Sequence, residues 1–155
     1  MTKFWTGFAP VGRVMKRCKE WQHDMCPRCL STNETSMHVL QCQEQSSRTQ
    51  WETSIGKFEE TLVELRTHPS IIIVWKSRLL SWGDSRKFPF SAFSLGKKVY
   101  YATNEQDAIT WKHFLMGRLS DYWKDAQQEW IVRTSTKWKR SSYTWMIKVK
   151  RSCGK

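Results

Sequence analysis

Two cysteines with two residues between them, a histidine after eight more residues and a third cysteine after another three constrain this chain more than any other feature. They are Cys26, Cys29, His38 and Cys42, in the segment CPRCLSTNETSMHVLQC, which reads C-x2-C-x8-H-x3-C. The two sulfurs of a C-x2-C turn can face one point, and a His and a Cys four positions apart share one face of a helix. Three thiolates and one imidazole make a closed tetrahedral Cys3His set, the donor chemistry of a structural zinc ion, Zn2+, with no position left open for a substrate. Pro27 stiffens the turn within the first pair. Polar residues Ser31, Thr32, Asn33, Glu34 and Thr35 fill the gap, and Met37, Val39 and Leu40 can seat a short helix on a core. His23, three residues before Cys26, is an alternative ligand, and four simply buried side chains are the alternative to a metal site. A disulfide framework fits less well, because five cysteines is an odd number and no secretory signal precedes them. Cys18 and Cys153 are then free thiols, and the thiol ligands point to a reducing, intracellular setting, nuclear or cytoplasmic.

Charge is distributed unevenly. The formal net charge is +12. Acidic stretches at 43–68 and 105–132 alternate with basic ones, and residues 133–155 carry eight basic residues and no acidic one. Such a tail attracts polyanions by releasing their counterions, so RNA or DNA is the expected partner, bound without sequence preference and less tightly as salt rises. Lys137, Lys139, Arg140, Lys148, Lys150 and Arg151 are the expected phosphate contacts, which position a partner rather than read its sequence. No apolar run approaches the length that crosses a bilayer; the longest is Ile71–Trp75.

The pattern predicts a mostly α protein, a helical bundle with a small N-terminal Cys3His zinc module made of a turn and a short helix. Residues 1–45 form an N-terminal loop and helix with the zinc module, 46–132 a helical core with an irregular loop at 83–103, and 133–155 a basic C-terminal helix or tail. Arg13 to Gln22 reads as a short helix with Val14, Cys18 and Trp21 at helical spacing. Trp51, Ile55, Phe58, Leu62 and Leu65 recur every three or four residues, one apolar stripe on a helix. His68-Pro69 ends that helix and Pro69 opens the next, through Trp82. The β-branched run Ile71–Val74 also fits a strand, but the residues after it favour a helix. Thr103 and Gln106 match a capping box, so a helix is expected from there through Trp130. Trp123, Trp130, Trp138 and Trp145 follow at intervals of seven, eight and seven, a packing stripe on one or two helices, with a break near 133–142. Trp111, Phe114, Leu115, Trp123 and Trp130 are expected to bury against Trp51, Phe58, Leu62 and the 71–82 segment. Aromatic and basic residues also interleave in the 83–103 loop, where anchoring to the core outweighs a role in gripping single strands.

No catalytic constellation is present. The chain has no phosphate-cradling glycine loop, no H-E-x-x-H and no G-x-S-x-G, and it is read as a non-enzyme.

The segment CPRC…ET…HVLQC resembles the zinc-binding segment that follows the reverse transcriptase and ribonuclease H regions of non-LTR retrotransposon polyproteins. With Pro10, Gly12 and Trp21 ahead of the zinc site, and Trp111-x2-Phe114-Leu115-x-Gly117-Arg118-x-Ser120-x2-Trp123-x3-Gln127 downstream, the whole chain resembles retroelement-derived proteins multiplied in diatom genomes. The resemblance implies zinc ligands at Cys26, Cys29, His38 and Cys42 and no polymerase or nuclease residues. It also implies a fragment of an element, since a further tryptophan-rich helix follows in the family. Two functions remain: a zinc-binding accessory module with non-specific nucleic-acid affinity, or a non-catalytic structural fragment that once packed on other segments of a polyprotein.

Overall fold

The computed structural model describes residues 11–84, 92–134 and 142–153. Among these, eight α-helices run in the order α1 Gly12–Arg17, α2 Ser36–Gln41, α3 Gln45–Glu64, α4 Pro69–Asp84, α5 Lys97–Ile109, α6 Trp111–Leu115, α7 Tyr122–Thr134 and α8 Ser142–Cys153, with a 3-10 turn at Ala92–Leu95 before α5. The only strand-like feature among the described residues is an isolated antiparallel bridge, Met25 to Asn33. The chain is therefore mostly helical, with the Cys3His cluster near its N-terminus.

The core is built around Trp75 of α4, which is fully buried. Phe114 and Trp123 meet it edge to face, at ring centroid distances of 4.9 and 5.3 Å, and Trp145 and Phe58 stack on it at 5.9 and 6.2 Å. Both geometries suit the ring quadrupole. The α3 stripe is bound into this cluster as its spacing predicts, Ile55 and Leu62 fully and Trp51, Phe58 and Leu65 in part. Ile71–Val74 are helical, and Pro69 is the first residue of α4, where its missing N–H costs no hydrogen bond. Trp111, Phe114 and Trp123 are buried, and Leu115 is half-buried against them. Trp130 is also half-buried, its ring 4.9 Å from that of His68. Of the tryptophan stripe, Trp123 and Trp145 share the core from two separate helices, while Trp138 lies outside the described residues.

Three boundaries differ from the sequence reading. Helix α1 stops at Arg17 rather than Gln22, with Lys19 at φ 60°, and Cys18 and Trp21 are exposed rather than packed. Much of the expected 83–103 loop is ordered helix, since α5 begins at Lys97. Thr103 and Gln106 consequently cap nothing. Val99, Ala102, Thr103 and Gln106 form the buried face of α5, and the Thr103 hydroxyl donates to the Val99 carbonyl at 2.7 Å. The single helix expected from 103 to 130 is three, interrupted where Thr110 and Gly117 take φ of 80° and 78°.

Two buried glutamines hold turns between helices, Gln106 the turn that follows Gly117 and Gln127 the turn between α3 and α4. Gln106 accepts the Ser120 N–H (2.9 Å) and the Trp123 indole N–H (3.3 Å) and donates to the Arg118 carbonyl (3.2 Å). Gln127 accepts the His68 N–H (2.8 Å) and donates to the Arg66 carbonyl (3.0 Å). A buried amide is tolerable only when its donors and acceptors are paired, and each here pins a turn between helices. The long motif from Trp111 to Gln127 is thus a set of core rings, a left-handed glycine and the residues that hold the turns, which makes it a signature of packing rather than of chemistry.

Candidate metal centre

Helix α2 is short, and its geometry follows from its cap. Thr35 accepts the backbone N–H of His38 at 3.0 Å, which satisfies a free donor of the first turn and fixes the backbone carrying the ligand. Cys42 is the C-cap of the same helix, so His38 and Cys42 project from one face. The other two ligands come from the hairpin before it. The Cys26 N–H donates to the Thr32 carbonyl (2.8 Å) and the Leu30 N–H to the Cys26 carbonyl (2.9 Å), a turn closed by the Met25–Asn33 bridge. Leu30 completes the turn at φ 53° with its side chain 68% exposed.

The four ligand atoms converge. All lie within 4.8 Å of one another. Cys26 Sγ and Cys42 Sγ are 4.0 Å apart, and Cys29 Sγ is 3.3 Å from His38 Nε2. Ligands about 2.0–2.3 Å from one ion stand about 3.3–3.8 Å apart at tetrahedral corners, and the donors, spread a little wider than that, are close enough to hold one ion. The Thr32 hydroxyl lies 3.1 Å from His38 Nδ1, the kind of outer partner that orients a ligand ring. Cys26 and Cys42 are buried, and burial pushes the Cys26 thiol up. The backbone N–H of Ser31 directed at the Cys29 sulfur, helped by the Thr32 hydroxyl and His38, holds that thiol down to about 6. Cys29 is thus the readier of the two to ionise.

The hairpin also anchors α1. The Gly12 N–H donates to the buried Glu34 carboxylate at 2.6 Å, and the Arg13 N–H to the Glu34 carbonyl at 3.1 Å. The Glu34 N–H returns to the Asp24 carbonyl at 2.6 Å, and Lys16 pairs with Asp24 at 3.1 Å. A Cβ on Gly12 would stand 3.1 Å from the Asp24 carbonyl oxygen and 3.2 Å from Glu34 Cβ, so a side chain here would have to push the hairpin back by a few tenths of an ångström. Thr35 and Glu34 were legible only as polar filler between the ligand pairs. T-x-x-H is a capping pattern with the ligand itself in the third position, and this hides it from the usual S/T-x-x-E template.

The module joins the core through polar contacts as well as packing. Gln41 donates to the Trp82 carbonyl at 3.3 Å, Arg28 to the Ser47 hydroxyl at 3.3 Å, and Glu44 caps α3 by accepting the N–H groups of Ser46 and Ser47. Met37, Val39 and Leu40 are half-buried. His23 is absent from the ligand cluster.

Of the basic residues singled out in the tail, Lys148, Lys150 and Arg151 are exposed on α8, whose opposite face buries Trp145, Met146 and Val149. Lys137, Lys139 and Arg140 lie outside the described residues. No helix among the described residues is long and apolar enough to cross a membrane. No protein family, no curated protein and no solved structure matches this chain.

Proposed function

We propose that this chain is a retroelement-derived, zinc-stapled helical module that binds RNA or DNA through charge rather than sequence, and that it carries no catalytic activity. The observation that carries the reading is the pairing of a closed Cys3His set with a strongly basic chain. Four protein ligands leave a zinc ion no open position, so its role is to fold the module. Three thiol ligands call for a reducing, intracellular compartment. The net charge of +12 and the exposed Lys148, Lys150 and Arg151 favour a polyanionic partner. Metal analysis of protein purified under reducing conditions should give one zinc per chain, and nucleic-acid titrations should show affinity falling steeply with salt. Purified protein without metal, or without nucleic-acid binding at about 50 mM salt, would remove the corresponding half of the reading.

A second reading has its own support. Val63 on α3, Ile73 on α4 and Val132 on α7 are large apolar residues left exposed. They favour a structural fragment that packs against other segments of a polyprotein. Sedimentation would show concentration-dependent association if that reading holds, and a monodisperse monomer if it does not.

A further inference from the structure

We infer that the cleft between α1 and the start of α2 is a binding groove for single-stranded nucleic acid. The inference deepens the nucleic-acid reading above and rests on it, but it places the site on the zinc module rather than in the basic tail. The cleft has a volume of about 640 Å3, within the usual range of ligand sites. Val11, Val14 and Met37 supply apolar walls, and Arg13, Lys16 and Arg17 line it with positive charge.

Two of the three acids nearby are already engaged, and the third, Glu20, is exposed beside Lys19. Glu34 is buried on the Gly12 N–H, and Asp24 is paired with Lys16. Arg17 and Lys19 are exposed and have no ion-pair partner among the described residues. Just beyond, Trp21 leaves 39% of its surface open beside His23, with ring centroids 6.3 Å apart, and its backbone N–H is held on the Met15 carbonyl of α1. Cations that follow a backbone, with an exposed ring on which a base can stack, are the elements of sequence-tolerant single-strand binding. Duplex bases are stacked on each other and cannot reach such a ring, which favours a single strand over a duplex. An acidic polypeptide would use the arginines but leave Trp21 without a purpose.

The groove depends on the metal. Helix α1 is held in place by Glu34 of the hairpin, and the hairpin is held by the ligands, so loss of the ion should open the groove.

The test titrates labelled oligo-dT and a duplex of equal length at several salt concentrations. It uses wild type, Arg13→Gln with Arg17→Gln, Trp21→Ala, and a triple variant of α8 (Lys148→Gln, Lys150→Gln, Arg151→Gln), each checked for metal content. Trp21→Ala should weaken single-strand binding roughly 5- to 100-fold and leave duplex binding unchanged. The arginine pair should lower the single-strand salt slope by about 1.4, two phosphates' worth, with metal retained. Groove variants that bind like wild type while the α8 variant fails would discard the groove and keep the nucleic-acid reading. No binding by wild type at about 50 mM salt would discard both. Displacement of oligo-dT by polyglutamate as effectively as by unlabelled oligo-dT, charge for charge, would make the groove a site for acidic chains and overturn the assignment.

Discussion

The Cys3His module and the helical core are built by opposite means. In the core, Trp75 alone meets four aromatic rings, and buried area does most of the work. In the stretch from Val11 to Cys42 the buried apolar residues are Val11, Cys26 and Cys42, and two of these are ligands. What holds that stretch is directional: backbone bonds across the hairpin, the Thr35 cap, the Glu34 carboxylate on α1 and the four donors. A segment this short cannot bury enough surface to offset its conformational entropy. An ion held by the four donors would replace the missing core, and the position of α1 would depend on it.

The contrast is broken most directly by removing the ion. Structural zinc contributes an apparent 10–16 kcal/mol to small metal domains near neutral pH. Chelation, or Cys29→Ser, should therefore unfold residues 11–42 while α3 to α8 persist. Amide hydrogen exchange would show fast exchange confined to the module. Equal loss of protection in α4 and α7 would mean that the two regions are one cooperative unit.

The reciprocal change is Trp75→Ala. Truncating a buried large aromatic costs about 3–5 kcal/mol, a large share of an ordinary domain's stability. Denaturant unfolding followed by circular dichroism should show the loss across α3 to α8. The zinc hairpin peptide, made separately, should still bind metal. A drop under about 1 kcal/mol would mean that the core repacks.

A smaller effect sharpens the comparison inside the module. Leu30 sits at φ 53° with an exposed side chain. A left-handed conformation costs a non-glycine residue about 1–2 kcal/mol, against about 0.5–1 for the extra freedom glycine loses on folding. Leu30→Gly should thus stabilise the module by about 0.5–1 kcal/mol, read as slower metal loss to a chelator, with no change in the core's unfolding midpoint. Faster metal loss would mean that the leucine side chain has a partner.

The smallest effect belongs to the core. His68 accepts the Ser70 N–H on Nδ1 at 3.0 Å at the start of α4, and its ring lies against Trp130. Burial, with Arg133 adding to it and Glu129 opposing, holds its pKa below the ordinary 6.5. The unfolded chain therefore takes up this proton first. The stability linked to neutral His68 is full above about pH 6.5 and is lost as pH falls through the folded value. His68→Asn, which keeps a capping acceptor but does not titrate, should flatten that slope in pH-dependent unfolding of the core. An unchanged slope would assign it to other groups.

Spacing alone determined three things about this protein: the Cys3His cluster, the apolar stripe of α3 and the start of α4 at Pro69. Each is local. Ligand spacing, a three-to-four residue repeat and the missing proline N–H act within a turn or two of chain, so they can be read without knowing what packs where. Only the tertiary structure decided the roles of Thr103, Gln106 and Gln127. Their polarity suggests caps and surface, yet all three are buried, Gln106 and Gln127 on long-range partners twelve to sixty-one residues away and Thr103 on the Val99 carbonyl of its own helix. It also decided that Thr110 and Gly117 break what looked like one helix, because Gln106 of α5 holds the turn at Arg118 and Ser120 that follows them. The seating of α1 is of the same kind. Gly12 and Glu34 meet across twenty-two residues, and a backbone N–H on a buried carboxylate leaves no period in the sequence.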